Sequence, residues 1–409
     1  MNYKSILNLL GILLGIFSLS FIPPLILTYV YSESGSEIFL YSFLFFCILG
    51  VSIWAATRQK SLPLNISDGF VITTLFWVVL ACAGSVPFYF FGLSVSDAIF
   101  ESASGITTTG ATTIVGLDNL PKSILLYRQL LQWIGGMGLI VLAVAVMPAL
   151  GIGGGQLYKM ELPGSHGNQK LTPKIKDSAK ALWKIYVGLT VACATLYLLS
   201  GMNLFDSIAH SLSTVAGGGF STHDGSIGFF DSALIETVCI IFMLLSAASF
   251  AVHYAAIFGG KPLKYFYDSE FRFFLSVVLL IIAVSMIVHI ISNSYADIFS
   301  AFGATVFHVV STVTTSGFTT ENFSLWPGFL PYLLLVGAFM GACSQSVGGG
   351  IKAWRVLIMI NQAYKEILKT IHPNAVLSSK IGTKVIDAKI AEKVWGFFSI
   401  YVFIFMFLL

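Results

Sequence analysis

Apolar stretches of about 20 residues recur along the whole chain and are separated by short polar segments. The first two occupy residues 6–31, with Pro23 and Pro24 inside, and residues 38–57. A helix of about 20 residues crosses the roughly 30 Å apolar layer of a bilayer, whereas barrel strands alternate in polarity. The pattern therefore predicts an all-α polytopic membrane protein that begins with a pair of helices.

Three polar, glycine-containing segments interrupt the apolar pattern at intervals of about a hundred residues. They occupy residues 104–113, 213–222 and 311–320 and align when Gly110, Gly219 and Gly317 are superimposed. The aligned positions are serine six residues before the glycine, threonine three residues after it, and an ionisable residue nine before it: Ser104, Ser213, Ser311; Thr113, Thr222, Thr320; Glu101, His210, His308. Each segment follows a stretch too short to span a bilayer. The chain therefore repeats a unit of helix, pore loop and helix.

The repeats divide the chain into five predicted regions. They are the N-terminal helix pair (1–66), pore repeats 1 (67–150) and 2 (151–260), repeat 3 with a broken second helix (261–372), and the start of repeat 4 (373–409). The sequence ends inside the helix that would lead to a fourth loop, so the predicted fold is truncated in the fourth repeat.

Composition narrows the possible function classes. The 409 residues are 56% hydrophobic and 10% charged, with a mean hydropathy of +0.87 and a net charge of +3. Soluble domains carry about 25% charged residues, and nucleic-acid binding needs a basic surface, so neither class fits. The sequence contains no nucleophile and base pair, metal-ligand cluster or dinucleotide fingerprint. We expect no enzymatic activity and no cofactor, and we interpret the five isolated cysteines as small core residues.

The distribution of basic residues predicts the orientation in the membrane. If the loop after Arg58 is cytoplasmic, 20 of the 22 lysines and arginines lie inside, since only Lys122 and Arg128 fall outside. The six-lysine segment 151–184 then becomes a cytoplasmic linker. Its three glycines, 153–155, lack the following Gly-Lys-Ser/Thr of a phosphate-binding loop.

The chemistry of the three loops points to a monovalent cation. Rings of backbone carbonyls can replace the hydration shell of an ion, and glycine allows the backbone angles that such rings need. The loops contain no ring of carboxylates or arginines, which disfavours Ca²⁺ and anions. One loop alone could be a small-residue packing motif, but three aligned copies favour a pore. The predicted ion-binding residues are Thr108, Thr109, Gly110, Ala216, Gly217, Gly218, Gly219, Thr315, Ser316 and Gly317.

A fourth polar segment lies in the middle of the last apolar stretch of repeat 3. Polar, glycine-rich backbone at that depth is tolerated only where it is buried in protein or lines a cavity. The segment contains Gly341, Ser344, Gln345, Ser346, Gly348, Gly349 and Gly350, and Lys352 and Arg355 follow it. Lys352 and Arg355 could equally be cytoplasmic anchors or an electrostatic barrier at the inner mouth.

Other ionisable residues are assigned to the surroundings of the loops. Glu101, His210 and His308 are interpreted as structural groups that bond to the backbone behind the loops. Four residues lie just outside the predicted ion-binding residues, where they could enrich cations or simply keep the loops soluble: Asp118, His223, Asp224 and Glu321.

These motifs together resemble the TrkH-type subunits of bacterial Trk potassium-uptake systems, within the Trk/Ktr/HKT superfamily. The resemblance rests on residues 107–111, 216–222, 315–320, 323–328 and 348–352 with Arg355, and it covers the whole chain. It implies K⁺ uptake across the inner membrane through four helix, pore-loop, helix repeats that follow two extra helices. It also implies that residues 341–350, with Lys352 and Arg355 after them, form an intramembrane gate. It further implies a homodimer with one pore per protomer and a cytosolic, nucleotide-binding TrkA-type ring as gating partner.

The sequence departs from the family pattern at two places. The fourth pore loop is missing, and Gln345 and Val347 stand where the family's gating loop has glycine and threonine. Two alternatives therefore stay open. One is a secondary transporter that binds a small solute at broken helices, which predicts inverted halves. The other is a truncated remnant that inserts into the membrane without conducting.

Overall fold

The computed structural model of the chain describes residues 2–58, 66–146, 175–374, 380–382 and 384–408. Most of these residues are helical, as the apolar pattern predicts. A two-stranded antiparallel hairpin, Lys380–Ile381 with Lys384–Val385, is the one departure from an all-α fold in the described ranges. Most of the predicted cytoplasmic linker lies outside the described residues.

The N-terminal pair consists of two membrane-length segments. The first is Tyr3–Ser18 and Ile22–Val30, joined by a 3₁₀ turn at Leu19–Phe21, and the second is Ser36–Thr57. The turn comes directly before Pro23 and Pro24, whose missing N–H groups and ring clashes interrupt the regular helix. The first membrane-length segment is therefore interrupted next to its two prolines.

Each repeat contains a long helix, a short helix and a return helix, in that order. The first repeat has Ile66–Phe90, Val95–Ile106 and Lys122–Val146; the second has Ile175–Leu199, Leu204–Ala216, Ala233–Ala247 and Phe250–Ile257; the third has Lys264–Tyr267, Ser269–Ser292, Ile298–Val313, Leu330–Met340 and Ala353–Ile371. Short 3₁₀ turns lie at Leu117–Asn119, Ser226–Phe230 and Phe323–Leu325, and the last helix is Ala388–Leu408.

The return helix of the second repeat is bent by 103° between Ala247 and Phe250. Among the return helices, a break is predicted from the sequence only in repeat 3, so this bend is an additional feature of the structure. The backbone groups freed by the bend bond to the glycine-rich segment of repeat 3: Cys343 N donates to Ala247 O at 3.0 Å, and Phe250 N donates to Gln345 O at 2.9 Å. Tertiary pairing therefore satisfies a break that contains no proline or glycine.

The three short helices, Val95–Ile106, Leu204–Ala216 and Ile298–Val313, are called short helices 1, 2 and 3 below. Each begins with a side-chain cap that accepts a bond from a first-turn N–H: Ser94 Oγ from Asp97 (3.1 Å), Asn203 Oδ1 from Asp206 (2.9 Å), and Asp297 Oδ1 from Ser300 (2.9 Å). Such caps fix where a helix starts. The three short helices therefore begin with the same kind of side-chain cap.

Six helices in the described ranges are long and apolar enough to cross a membrane, or seven if the bent pair counts as one span. Two large apolar clusters hold most of them together, and the last helix, Ala388–Leu408, packs in a separate small cluster. One joins the N-terminal pair to repeat 1 through residues such as Phe21, Phe39 and Tyr127, and the other joins repeats 2 and 3. In repeat 1, Gly135 lies directly against the carbonyl of Ile106. The glycine therefore allows the backbone of the preceding short helix to approach the return helix closely.

Candidate functional site

The three short helices end in turns with the same backbone conformation. The turns comprise residues 107–113 (turn 1), 217–222 (turn 2) and 314–320 (turn 3). The aligned glycines have φ of 78°, 76° and 83°, and the residues two positions earlier, Thr108, Gly217 and Thr315, have φ of 55°, 66° and 62°. Each turn thus has two residues with positive φ and one residue between them. Positive φ is unusual for threonine, because its Cβ disfavours the left-handed region. The correspondence read from the sequence is therefore also one of backbone conformation.

The turns are closed by the same pair of hydrogen bonds. The N–H one position before each glycine donates to the carbonyl of the aligned serine: Thr109 to Ser104 (2.9 Å), Gly218 to Ser213 (3.1 Å) and Ser316 to Ser311 (2.9 Å). The preceding N–H bonds to the carbonyl three residues back in all three copies, at 3.0, 3.2 and 3.0 Å. This is the Schellman arrangement that ends a helix and satisfies part of its unpaired carbonyls.

The turns lie against one another in order. A Cβ placed on Gly110 would overlap the carbonyl oxygen of Gly218, and one placed on Gly219 would overlap that of Ser316. Around Gly317 no atom of the described residues lies within 4 Å of such a Cβ. Turn 1 therefore contacts turn 2, and turn 2 contacts turn 3, each through a glycine against a carbonyl.

The predicted ion-binding residues fall within or beside these turns, with two differences. Ala216 is the last residue of short helix 2, so turn 2 begins at Gly217. The carbonyl oxygen of Gly218 accepts a bond from Gln132 Nε2 at 2.7 Å and thus has a protein partner. The other eight residues lie in the turns: Thr108, Thr109, Gly110, Gly217, Gly219, Thr315, Ser316 and Gly317.

Gln132, on the return helix of repeat 1, was not identified by the sequence analysis. Besides donating to Gly218, it accepts from Ser213 Oγ (2.6 Å) and Phe220 N (3.1 Å), and it is fully buried. The side-chain amide of Gln132 thus bonds to short helix 2 through Ser213 and to turn 2 through Gly218 and Phe220. A polar residue near the middle of an apolar helix is the signal that could have revealed it.

The ionisable residue nine positions before each glycine braces the far side of its turn. Glu101 accepts from Thr112 Oγ1 at 2.9 Å and Thr113 N at 3.3 Å, His210 Nε2 bonds Ser221 Oγ at 2.9 Å, and Thr320 N donates to His308 Nε2 at 3.4 Å. All three side chains are buried. All three therefore bond to their own turns, Glu101 and His308 to backbone N–H groups as expected and His210 to a serine hydroxyl.

Arg128 forms a buried ion pair with Glu101 at 2.6 Å, and neither side chain is exposed. The guanidinium also donates to Ser221 O (3.0 Å) and Thr112 Oγ1 (3.1 Å) and lies 4.2 Å from the ring centroid of Phe220. The count of basic residues assigned Arg128, together with Lys122, to the outer side of the membrane. The structure instead places it in the protein interior, where it links turn 1 to turn 2.

The charged residues just outside the turns are bound to protein groups. His223 lies between Asp118 and Asp206, and Asp224 accepts from Gly116 N and Leu117 N, both at 3.1 Å. Glu321 accepts from Tyr295 Oη and from Trp326 Nε1. These contacts give the four residues a structural role in joining the outer segments, whether or not they also attract cations.

The His223 contacts predict a pH-dependent stability. Burial lowers the pKa of His223, but the two carboxylates, Asp118 and Asp206, outweigh it and raise the pKa above 6.5. Because the folded-state pKa is raised, the stabilisation is complete below the unfolded-state pKa of about 6.5 and is lost as the pH rises through the folded-state pKa. We expect the thermal midpoint of the purified protein to exceed that of His223→Phe at about pH 6 by more than at about pH 8.5.

The phenylalanine variant is chosen because it can keep the stacking of His223 on Phe229, whose ring centroid is 3.5 Å away. His372→Phe, at an exposed position, serves as the matched control. A difference between wild type and His223→Phe that is the same at both pH values would contradict the prediction.

The predicted gate is an irregular segment between two helices, residues 341–350, called the glycine-rich loop below. It interrupts the return helix of repeat 3 between Leu330–Met340 and Ala353–Ile371, which confirms the predicted break. Gly341, Gln345, Gly350 and Lys352 have φ of 71°, 59°, 81° and 82°. The loop reaches the turns, because Gly349 N donates to Thr315 Oγ1 at 2.6 Å.

The other predicted gate residues lie in or directly after this loop. Ser344 is buried, Ser346 Oγ donates to Cys343 O at 2.6 Å, and Gly348 lies beside Thr314 O. Arg355 donates to Ile351 O at 3.1 Å and lies 4.0 Å from the ring centroid of Phe397 on the last helix. Arg355 therefore packs against the last helix rather than against the turns.

Glu270, in the first turn of Ser269–Ser292 in repeat 3, connects the glycine-rich loop to the helix that follows it. Its Oε1 accepts from Ser344 N and, at 3.1 Å, from Trp354 N in the first turn of Ala353–Ile371. That helix has no side-chain cap of its own, and a carboxylate stabilises a helix amino end. The sequence analysis did not single out Glu270, which lies 74 residues before Ser344.

Comparison with known proteins identifies the family. The sequence profile of the TrkH family, described as cation transport protein, matches residues 34–409. The Trk system potassium uptake protein TrkH of Vibrio parahaemolyticus is 46% identical over 411 residues, which are 99% of this chain and 85% of the relative. TrkH of Halomonas elongata is 47% identical, with 100% and 85% covered, and TrkG of Escherichia coli is 39% identical, with 98% and 83% covered.

A solved structure shows the same fold. The crystal structure of the potassium transporter TrkH from Vibrio parahaemolyticus superimposes with a TM-score of 0.90 at 44% identity, covering 99% of this chain and 84% of the other. Together with the membrane-length helices, the match confirms the predicted polytopic membrane protein. The chain therefore belongs to the TrkH family of cation transport proteins.

Proposed function

We propose that this chain takes up K⁺ across the bacterial inner membrane as the pore-forming subunit of a Trk-type system. The relatives are named as potassium uptake proteins. The observation that carries the proposal is the meeting of three turns with the same backbone, in which a glycine of one turn faces a carbonyl of the next.

In this proposal, the turns replace the water around a K⁺ ion. Backbone carbonyls and threonine hydroxyls provide neutral oxygens, which suit a monovalent cation. The residues proposed to line the site are Thr108, Thr109, Gly110, Ala216, Gly217, Gly218, Gly219, Thr315, Ser316 and Gly317. The buried bonds of Gln132, Glu101, His210 and His308 support it, because they hold the turns from behind without help from the ion.

The glycine-rich loop is proposed as the gate, with Lys352 and Arg355 at its cytoplasmic side. Its direct bond to Thr315 and its bonds to the bent helix of repeat 2 support this role. A segment held by hydrogen bonds between irregular backbone groups can move without unfolding a helix.

The family resemblance further supports three proposals about organisation. They are the division into an N-terminal pair and successive pore repeats, assembly as a homodimer, and control by a cytosolic TrkA-type nucleotide-binding ring. The secondary-transporter alternative predicts inverted halves, whereas the three units here repeat their helices in the same order.

The test of the proposed function is rescue of a bacterium that lacks its own K⁺ uptake systems. We expect cells that express the chain to grow at sub-millimolar K⁺ and to accumulate ⁸⁶Rb⁺ faster than cells with an empty vector. The amount of protein in the membrane is measured in parallel. Rubidium uptake at the empty-vector rate, despite normal membrane insertion, would reject the proposal and favour a non-conducting protein.

A further inference from the structure

Lys352 follows the glycine-rich loop with a backbone that lysine rarely adopts. Its φ of 82° lies in the left-handed region, where a residue with a Cβ is strained. The side chain turns back towards the loop, and its Nζ donates to the carbonyl oxygen of Gly348 and, at 3.4 Å, to that of Ser346. The ammonium group is therefore held by backbone carbonyls of the proposed gate.

These partners are the kind that a dehydrated monovalent cation uses. Among the residues that the structure describes, no carboxylate lies within ion-pair distance of Lys352. An ammonium group carries the same charge as K⁺ and is of similar size, and both are bound by oxygens. Two loop carbonyls with an ammonium between them therefore form an occupied cation position.

One peptide unit connects this position to turn 3. The carbonyl of Gly348 accepts from Lys352, and the N–H of Gly349, in the same peptide group, donates to Thr315 Oγ1. On the other side, Gly217 of turn 2 lies beside Val347 and Gly348. The ammonium is thus bound next to the first residues of turns 2 and 3. It lies where the glycine-rich loop leads into Ala353–Ile371.

We propose that Lys352 is a tethered cation that closes the pathway by occupying the carbonyl oxygens of Ser346 and Gly348, and that a permeating K⁺ competes with its ammonium group for them. The inference rests on the proposed function and names the group that closes the gate. Glu270 holds Ser344 and Trp354, which lie on either side of the two carbonyls and Lys352, so that release of the ammonium is the step that frees the residues between them.

The first test compares Rb⁺ uptake by wild type and Lys352→Met, whose side chain has similar length and no charge. Loss of a hydrogen bond to a charged group should raise the uptake rate about tenfold, because that bond favours the closed form. Lys369→Met removes a charge from an exposed position on the same helix and should leave the rate unchanged. A rate for Lys352→Met equal to or below the wild-type rate would overturn the proposal.

The second test does not depend on transport. A cysteine is introduced by Ser346→Cys, and its labelling by a charged methanethiosulfonate is followed in the purified protein, with the chain lacking this substitution as background. We expect Rb⁺ to speed labelling compared with N-methylglucamine at equal ionic strength, since Rb⁺ displaces the ammonium. Adding Lys352→Met should speed labelling about tenfold and abolish the Rb⁺ effect.

The two readouts separate the proposals. If Rb⁺ accelerates labelling but no chain transports Rb⁺, the tethered cation is supported and the uptake function fails. If wild type transports Rb⁺ but labelling ignores both Rb⁺ and the Lys352 substitution, uptake stands and the tethered cation is overturned. The comparison of labelling rates in Rb⁺ and in N-methylglucamine uses the chain with its native Lys352. It therefore remains informative even if Lys352→Met does not fold.

Discussion

Gly219→Ala is expected to reduce Rb⁺ uptake by about a hundredfold or more, the scale of loss that an ångström-sized misplacement causes in other tightly arranged sites. Two effects add at this position. The backbone φ of 76° disfavours any side chain, and the new Cβ would overlap the carbonyl oxygen of Ser316 in the next turn. Turn 2 or turn 3 must move, and the oxygens around the ion move with it.

Gly303→Ala provides the matched control for this prediction. Gly303 lies inside short helix 3, has an ordinary helical backbone, and has no atom within 4 Å of the added Cβ. Alanine also favours the helix, so uptake should be unchanged. Both variants are measured for ⁸⁶Rb⁺ uptake at equal membrane abundance. Full activity of Gly219→Ala would show that the contact between turns 2 and 3 does not form the ion pathway.

Arg128→Met is expected to lower the free energy of unfolding by about 3–5 kcal/mol, because removing one partner of a buried ion pair leaves the other charge uncompensated. Glu101 would remain fully buried without its partner, and the carbonyl of Ser221 would lose a donor. The measurement is thermal or denaturant unfolding of the purified protein in detergent.

A double substitution distinguishes loss of the pair from loss of packing. Arg128→Met together with Glu101→Leu removes both charges, so it should cost less than the sum of the two single changes. Arg272→Met, at an exposed arginine, is the control and should change stability by less than about 0.5 kcal/mol. Strictly additive costs for the two positions would mean that the ion pair does not hold turn 1 to turn 2.

The sequence predicted the elements whose signal lies within one stretch of chain. The three turns could be aligned because serine, glycine and threonine recur at fixed spacing, and the same residues adopt the same angles in the structure. The broken helix of repeat 3 was equally visible, since polar and glycine-rich backbone interrupts an apolar run. Local chemistry determines these features, and local chemistry can be read from the sequence.

The supporting residues were missed because their partners are distant in sequence. Gln132 bonds to Gly218, 86 residues later, and Arg128 bonds to Ser221, 93 residues later. The charge count for topology treats an arginine near a helix end as solvent-exposed, whereas Glu101 and the Phe220 ring keep this one in the interior. The 103° bend before Phe250 carries no local signal either, since its backbone groups are satisfied by the glycine-rich loop.

The most direct test of the central claim is whether the three turns bind K⁺. The thermal midpoint of the purified chain is measured as K⁺ or Rb⁺ replaces N-methylglucamine at constant ionic strength. A bound ion at a hundredfold its dissociation constant stabilises the folded state by about 2.7 kcal/mol, so the midpoint should rise with K⁺ in wild type and Gly303→Ala. It should not rise in Gly219→Ala. An equal response of wild type and Gly219→Ala, or no response in either, would contradict the assignment of the ion site to these turns.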